Sequence, residues 1–187
     1  RASARRPGHC VSLWGRGRAD GVLMTPGYFM PAVEHMGIGQ LWDRVALETV
    51  VAKLQAHKSI TLEVNVSGTA ADVPAWLQSF VEYIRDHNAV ASRLIVELTE
   101  TAALHKFEEN AHFITQLKEL GVRVAIDDFG AGYTSFRNLQ MLHVDTVKID
   151  GAYVKDLAAS PENQVLVRTL VGLAKQRGLS TVAVGAG

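Results

Sequence analysis

The sequence predicts an α/β fold of parallel strands, either closed as a barrel or left as an open, doubly wound sheet. Two observations carry this reading. Short runs rich in Val, Ile and Leu alternate with segments of helical periodicity, an order that requires parallel strands and right-handed crossovers. Polar residues gather at the C-terminal ends of those runs, where parallel α/β folds build their sites. A chain of 187 residues suffices for one domain with a sizeable core and is too short for two ordinary ones with a linker.

The predicted strands are "SITLEVNVS" (59–67), "SRLIVELTE" (92–100), "GVRVAIDDF" (121–129), "HVDTVKID" (143–150) and "LSTVAV" (179–184). Their nearly continuous apolar character is that of strands buried on both faces. Helical spacing runs from Leu41 to His57, Val73 to His87 and Ala103 to Leu120, clearest in Leu104, Phe107, Ala111, Ile114 and Leu117. Gly121 stands where a left-handed C-cap belongs. Ser160 and Pro161 open a last helix that passes Val165 and Leu173 and stops at Gly178. No repeat or low-complexity linker interrupts the pattern.

Composition narrows the function. The formal net charge is zero and charged residues make up 20% of the chain, so no global field draws it to a DNA or RNA polymer or to an anionic membrane. The exception is local: Arg1, Arg5, Arg6, Arg16 and Arg18 precede the first acid, Asp20. Cys10 is the only cysteine, which excludes an internal disulfide framework and suits a reducing compartment. No apolar run approaches the ~20 residues of a membrane span. The expectation is a cytoplasmic domain, possible as the cytosolic part of a larger, membrane-associated protein.

Strand alternation puts Glu63, Asn65 and Ser67 on one face of the first strand, Ile95 and Glu97 on one face of the second, Ala125 and Asp127 of the third, and Thr146 and Lys148 of the fourth. If these faces line a barrel, Asn65, Glu97, Asp127 and Lys148 converge near its mouth. Buried carboxylates at Glu97, Asp127 and Asp128 then call for a cation, and all-oxygen donors favour Mg²⁺ or Mn²⁺, or Ca²⁺, over a thiolate zinc site. Asp127 and Asp128 could reach opposite sides of one strand end. Each residue also has a plainer reading: a solvated or capping Asp-Asp pair, a lysine snorkelling at a rim, an asparagine satisfying backbone groups. Their joint placement on successive strands favours a site. Gly130-Ala131-Gly132 lacks the third glycine of a dinucleotide loop, the seven histidines have no ligand spacing, and Ser67 has no nucleophile elbow around it.

The stretches "DGVLMTPGYFMPAVEHMGI", "LEVNVS", "VELTE", "AIDDFGAGYTSFRNL" and "VKIDGAYV" together resemble the EAL domain, a bacterial family that hydrolyses cyclic di-GMP to the linear dinucleotide pGpG. The resemblance covers about residues 20–183, with 1–19 a divergent basic segment and 20–187 a partial EAL domain. It implies a modified TIM-type (β/α)₈ barrel with an antiparallel first strand, incomplete here because the last two strands are missing. By the same resemblance Asn65, Glu97, Asp127 and Asp128 would bind Mg²⁺ or Mn²⁺, with Lys148 and Asp128 catalytic. Two such ions would stabilise the attacking and leaving oxygens at phosphorus. Glu100 would steady the loop after Asp128, and Pro26 and Asp150 would contact substrate. Implied partners are cyclic di-GMP, a second copy docked through the loop after Asp128, and GGDEF or sensory domains of a longer protein.

Both ends depart from the family pattern. The signature Glu-Ala-Leu falls on Val11-Ser12-Leu13, its following arginine on Gly15, and the C-terminal glutamate on Val184. A positioned base contributes about 10²–10⁴-fold, and incomplete metal ligation weakens what depends on it. Hydrolysis is therefore expected to be very slow or absent, leaving a cyclic di-GMP receptor or protein-docking module as the alternative. Open barrel edges also predict poor stability unless a partner or a dimer covers them.

Overall fold

The computed structural model describes residues 15–16, 23–24, 26–130 and 141–184. Strands β1 (Gly15–Arg16) and β2 (Leu23–Met24) form a short antiparallel pair. Helices α1 (Pro26–His35) and α2 (Gly39–Ala56) follow. Then come β3 (Leu62–Val66), α3 (Gly68–Ala71), α4 (Pro74–Asp86), a 3₁₀ segment over Asn88–Arg93, β4 (Leu94–Thr99), α5 (Glu100–Leu104), α6 (Phe107–Glu119) and β5 (Arg123–Phe129). After the loop come β6 (Thr146–Ile149), α7 (Gly151–Val154), α8 (Pro161–Gln176) and β7 (Ser180–Ala183). The five strands β3 to β7 pair in sequence order, all parallel, as an arc of barrel wall.

The five predicted strands all form, and β3 to β6 present apolar stripes to the covering helices. Val64 and Val66 of β3, Val96 and Leu98 of β4, Val124 and Ile126 of β5 and Val147 of β6 enter one core with Ala46, Leu47, Val50, Val51 and Leu54 of α2, Phe80, Val81 and Ile84 of α4, and Phe113, Ile114 and Leu117 of α6. Those helical positions recur at three and four residues, which keeps them on one face. On α6 the fully buried face also includes Asn110, whose Nδ2 donates to Ala102 O at 2.9 Å.

The predicted ends at Gly121, Ser160 and Gly178 form as expected, but the single helix expected over 103–120 is broken: α5 ends at Leu104, and Lys106, left-handed with φ 31°, precedes α6. Gly121 is left-handed with φ 82°, and the amides of Gly121 and Val122 return to Lys118 O and Leu117 O, closing α6 as a glycine C-cap does. Ser160 Oγ accepts from the Asn163 amide at 3.2 Å to cap α8, and Gly178 with φ 72° ends it. Arg93 secures the end of α2 by donating to Leu54 O at 2.8 Å and His57 O at 2.6 Å.

Burial falls off along the sheet. β4 is buried through five of its six residues, whereas β7 has none buried and α8 buries only Ala174. Val165 and Val182 are exposed at 67% and 44%.

Candidate functional site

The site lies at the C-terminal ends of β3 to β6. Register sets it: Asn65 stands beside Glu97, Glu97 beside Ala125, and Thr99 beside Asp127. Lys148, on β6, stands beside Val182. Asn65 is exposed, Glu97 and Lys148 are buried, Asp127 is half-buried and Asp128 exposed.

Asp127 and Asp128 occupy a bulge. Between β5 and β6 the pairs Ile126 with Val147 and Phe129 with Ile149 enclose two residues on β5 against one on β6. Asp128 takes a left-handed φ of 53°, the backbone state that such bulges use. Its amide donates to Asp127 Oδ1 at 3.0 Å. Because of the extra residue Ile126 and Phe129 both remain in the core, and Asp128 does not point into the helical layer. It lies instead in the field of Asp127, Asp150 and Lys148. The bulge, rather than a reach to opposite sides of a strand, explains the adjacent pair. Burial first, then the charges of Asp127 and Asp150, raise the Asp128 carboxyl above its ordinary range against the opposing pull of Lys148.

The centre of the site is an ion-paired trio. Lys148 Nζ donates to Glu63 Oε2 at 3.1 Å and is in ion-pair contact with Glu97 Oε1. Burial first, then the Glu63 carboxyl beside it, act to raise Glu97, against the opposing pull of Lys148. For Lys148, burial acts to lower the pKa, but the two carboxylates outweigh it and hold the ammonium charged. Glu63 shares the site face as alternation implies, yet it was not among the predicted ligands. Its place two residues before Asn65 is the mark that could have singled it out.

Glu100 is buried at the start of α5, and its Oε2 accepts the Gly130 amide at 2.7 Å. Its Oε1 has no hydrogen-bond partner among the described residues. Gly130 is held from its other side by Tyr153, whose hydroxyl donates to Gly130 O at 2.7 Å, a contact no sequence pattern announces. Asp150 caps α7 through Oδ1, which accepts from the Ala152 amide at 2.7 Å. Pro26 begins α1. Ser67, the other polar residue of β3's end, turns to α2: its amide and hydroxyl both donate to Asp43 Oδ2 at 2.8 Å. Val184 follows β7, its amide donating to Ile149 O at 3.2 Å, so the position of the family glutamate lies beside β6 and carries an apolar side chain. Val11, Ser12, Leu13 and the loop proposed for dimer contact, 131–140, lie outside the described residues.

The donor set of Asn65, Glu97, Asp127 and Asp128 is hard oxygen and fits a divalent ion in chemistry. The repulsion that Asp127 and Asp150 exert on Asp128 is also what a cation would relieve. The side chains do not stand ready as a cage, however. Among the described residues no three His, Cys, Asp or Glu side chains are grouped to hold an ion, and Glu97 lies against Lys148.

The EAL domain model matches residues 8–185, and the chain belongs to the EAL domain family. It is 32% identical over 168 residues to the probable cyclic di-GMP phosphodiesterase PdeA of Escherichia coli K12, covering 88% of this chain and 23% of that protein. The chain spans about a quarter of the length of the curated relatives it matches. It superposes on the PaMucR phosphodiesterase in complex with c-di-GMP with a TM-score of 0.80 and 29% identity, covering 94% of this chain and 73% of the other. The EAL domain of Mycobacterium smegmatis DcpA gives a TM-score of 0.68 and 31% identity over 77% of this chain and 67% of that one. The expected incomplete TIM-type barrel is thus the observed architecture. Among the described residues no helix is long and apolar enough to cross a membrane.

Proposed function

We propose that this chain is a cyclic di-GMP domain that retains ligand and cation recognition and has lost most of its hydrolytic activity. The observation that carries the reading is the pairing of Lys148 with Glu97, within a strand-end set whose last family carboxylate is replaced by Val184. The similarity to a phosphodiesterase solved with c-di-GMP supports the choice of ligand.

On this reading Asn65, Glu97, Asp127 and Asp128 would hold Mg²⁺ or Mn²⁺, which would supply charge stabilisation for the attacking and leaving oxygens at phosphorus. Lys148 orients the attacking water from the floor of the site, and Asp128 assists it. Glu100 holds Gly130 and with it the start of the loop that follows. Pro26 and Asp150 contact the dinucleotide. Water activation is the step left short, since Val184 cannot accept a proton and a positioned base is worth about 10²–10⁴-fold.

Thermal unfolding with and without Mn²⁺ and cyclic di-GMP, with chromatography of the nucleotide, tests this. A ligand that binds only the folded state at 100 times its Kd stabilises it by about 2.7 kcal/mol. A raised midpoint with little or no pGpG is the expected result. Rapid turnover abolished by Asp127→Asn would overturn the loss of activity, and the absence of any shift would overturn ligand recognition. A receptor with no turnover at all is the second reading, favoured by the same valine.

A further inference from the structure

Glu63 has no part in the proposed hydrolysis, yet it is bonded to the lysine that occupies the key ligand. It stands on β3 beside Ile95, one step below the pair Asn65 and Glu97 on the same barrel face. The side chains of Glu63, Lys148 and Glu97 retain only 14%, 11% and 1% of their exposure. Two carboxylates therefore share one ammonium in a nearly dry space. Among the described residues the ion pairs of Lys148 are with Glu63 and Glu97.

This sharing bears on the cation, on the reading of the site proposed above. A cation bound through Glu97 Oε1 has to displace Lys148 from that oxygen. If Glu97 were the lysine's sole partner, its departure would strand a buried ammonium beside an arriving positive ion, and an unpaired buried charge is costly. With Glu63 in place the ammonium keeps a hydrogen-bonded carboxylate at 3.1 Å. We propose that Glu63 is a positioning residue that takes over Lys148 and thereby releases Glu97 to a divalent cation. The trio acts as a two-position arrangement: Lys148 on both carboxylates without the ion, and on Glu63 alone with it.

The test is Mn²⁺ affinity of the full chain, read by electron paramagnetic resonance of free Mn²⁺, which does not depend on turnover. Glu63→Gln keeps the shape and an acceptor oxygen but removes the charge, and is expected to weaken Mn²⁺ binding about 10–100-fold, the usual effect of losing an outer-shell carboxylate. Glu63→Asp, which keeps the charge, is expected to restore most of the affinity. In a Lys148→Met background Glu63→Gln should change nothing further, because no ammonium remains to be taken over. Unchanged affinity in Glu63→Gln overturns the inference. So does an equal loss in the Lys148→Met background, which would make Glu63 a direct partner of the ion. If Glu63→Gln does not fold, Lys148→Met alone decides: with Glu97 already free it should bind Mn²⁺ at least as tightly as the unaltered chain, and weaker binding overturns the inference. An unaltered chain that binds no Mn²⁺ overturns the metal-dependent reading and this inference together, whereas failure of the Glu63 variants alone leaves that reading standing.

Discussion

The hydroxyl of Tyr153 donates to the carbonyl of Gly130 at 2.7 Å, while the amide of the same glycine is taken by Glu100. One residue at the end of β5 is thereby tied to both α7 and α5. Tyr153→Phe keeps the ring and removes only this bond. It should lower stability by about 0.5–1.5 kcal/mol, read as a lower midpoint in urea with an unchanged slope. Equal midpoints would show that the bond contributes nothing.

Gly130 itself leaves little room for a side chain. Its φ is 102°, and an added Cβ would meet Leu170 Cδ1 at 3.2 Å and Tyr153 Cε2 at 3.3 Å. Gly130→Ala combines an unfavourable backbone with a tight fit and should cost roughly 1–3 kcal/mol. A loss smaller than that of Tyr153→Phe would mean that the end of β5 yields easily.

Asp128 sits with a left-handed φ of 53°, a state that aspartate tolerates better than most residues but glycine tolerates best. Asp128→Gly should therefore hold or raise stability, by up to about 1 kcal/mol. It should also erase the rise in midpoint that Mn²⁺ produces. A variant both destabilised and still responsive to Mn²⁺ would contradict the role given to this carboxylate and the strain assigned to its backbone.

Asp43 gives a pH test away from the candidate ligands. Burial raises its carboxyl from 3.8 to about 6, against the two bonds from Ser67 that act to lower it. The folded state thus holds the proton more tightly than the unfolded chain. The contribution of Asp43 to stability is fully present below pH 3.8 and is lost as pH rises to about 6. The total is roughly 3 kcal/mol. Asn at this position accepts the same bonds without titrating, so Asp43→Asn should gain on the unaltered chain through this window and run parallel above it. Parallel unfolding profiles from pH 4 to 7 would remove Asp43 from the account.

Val184 offers the opposite experiment, a gain. Its amide is anchored to Ile149 O beside the site, so Val184→Glu returns a carboxylate to the family position without rebuilding the strand. Cyclic di-GMP hydrolysis should rise toward the ~10²-fold that a positioned base supplies at the low end. Hydrolysis that stays at the level of the unaltered chain would place the deficit elsewhere, in the segment where Val11 stands for the signature glutamate.

The strands and most helix ends were legible in the sequence because each depends on local chemistry. Apolar runs such as "LIVEL" in β4 read as buried strands, and Gly121, Ser160 with Pro161, and Gly178 mark ends that need no distant partner. The faces were legible too, since alternation alone puts Glu63 beside Asn65 and Thr146 beside Lys148. Family membership followed from motifs spread over the same strands. Only the tertiary structure decided which charges meet. Glu63 and Lys148 are 85 residues apart in the chain, and nothing local says that Lys148 would hold Glu97 and Glu63 instead of leaving Glu97 to Asp127 and Asp128. The bulge was likewise invisible, because it is a property of register between β5 and β6 and not of either strand. Tyr153 on Gly130 and Ser67 on Asp43 belong to the same class: each joins elements that come together only once the sheet has curved and the helices have packed upon it.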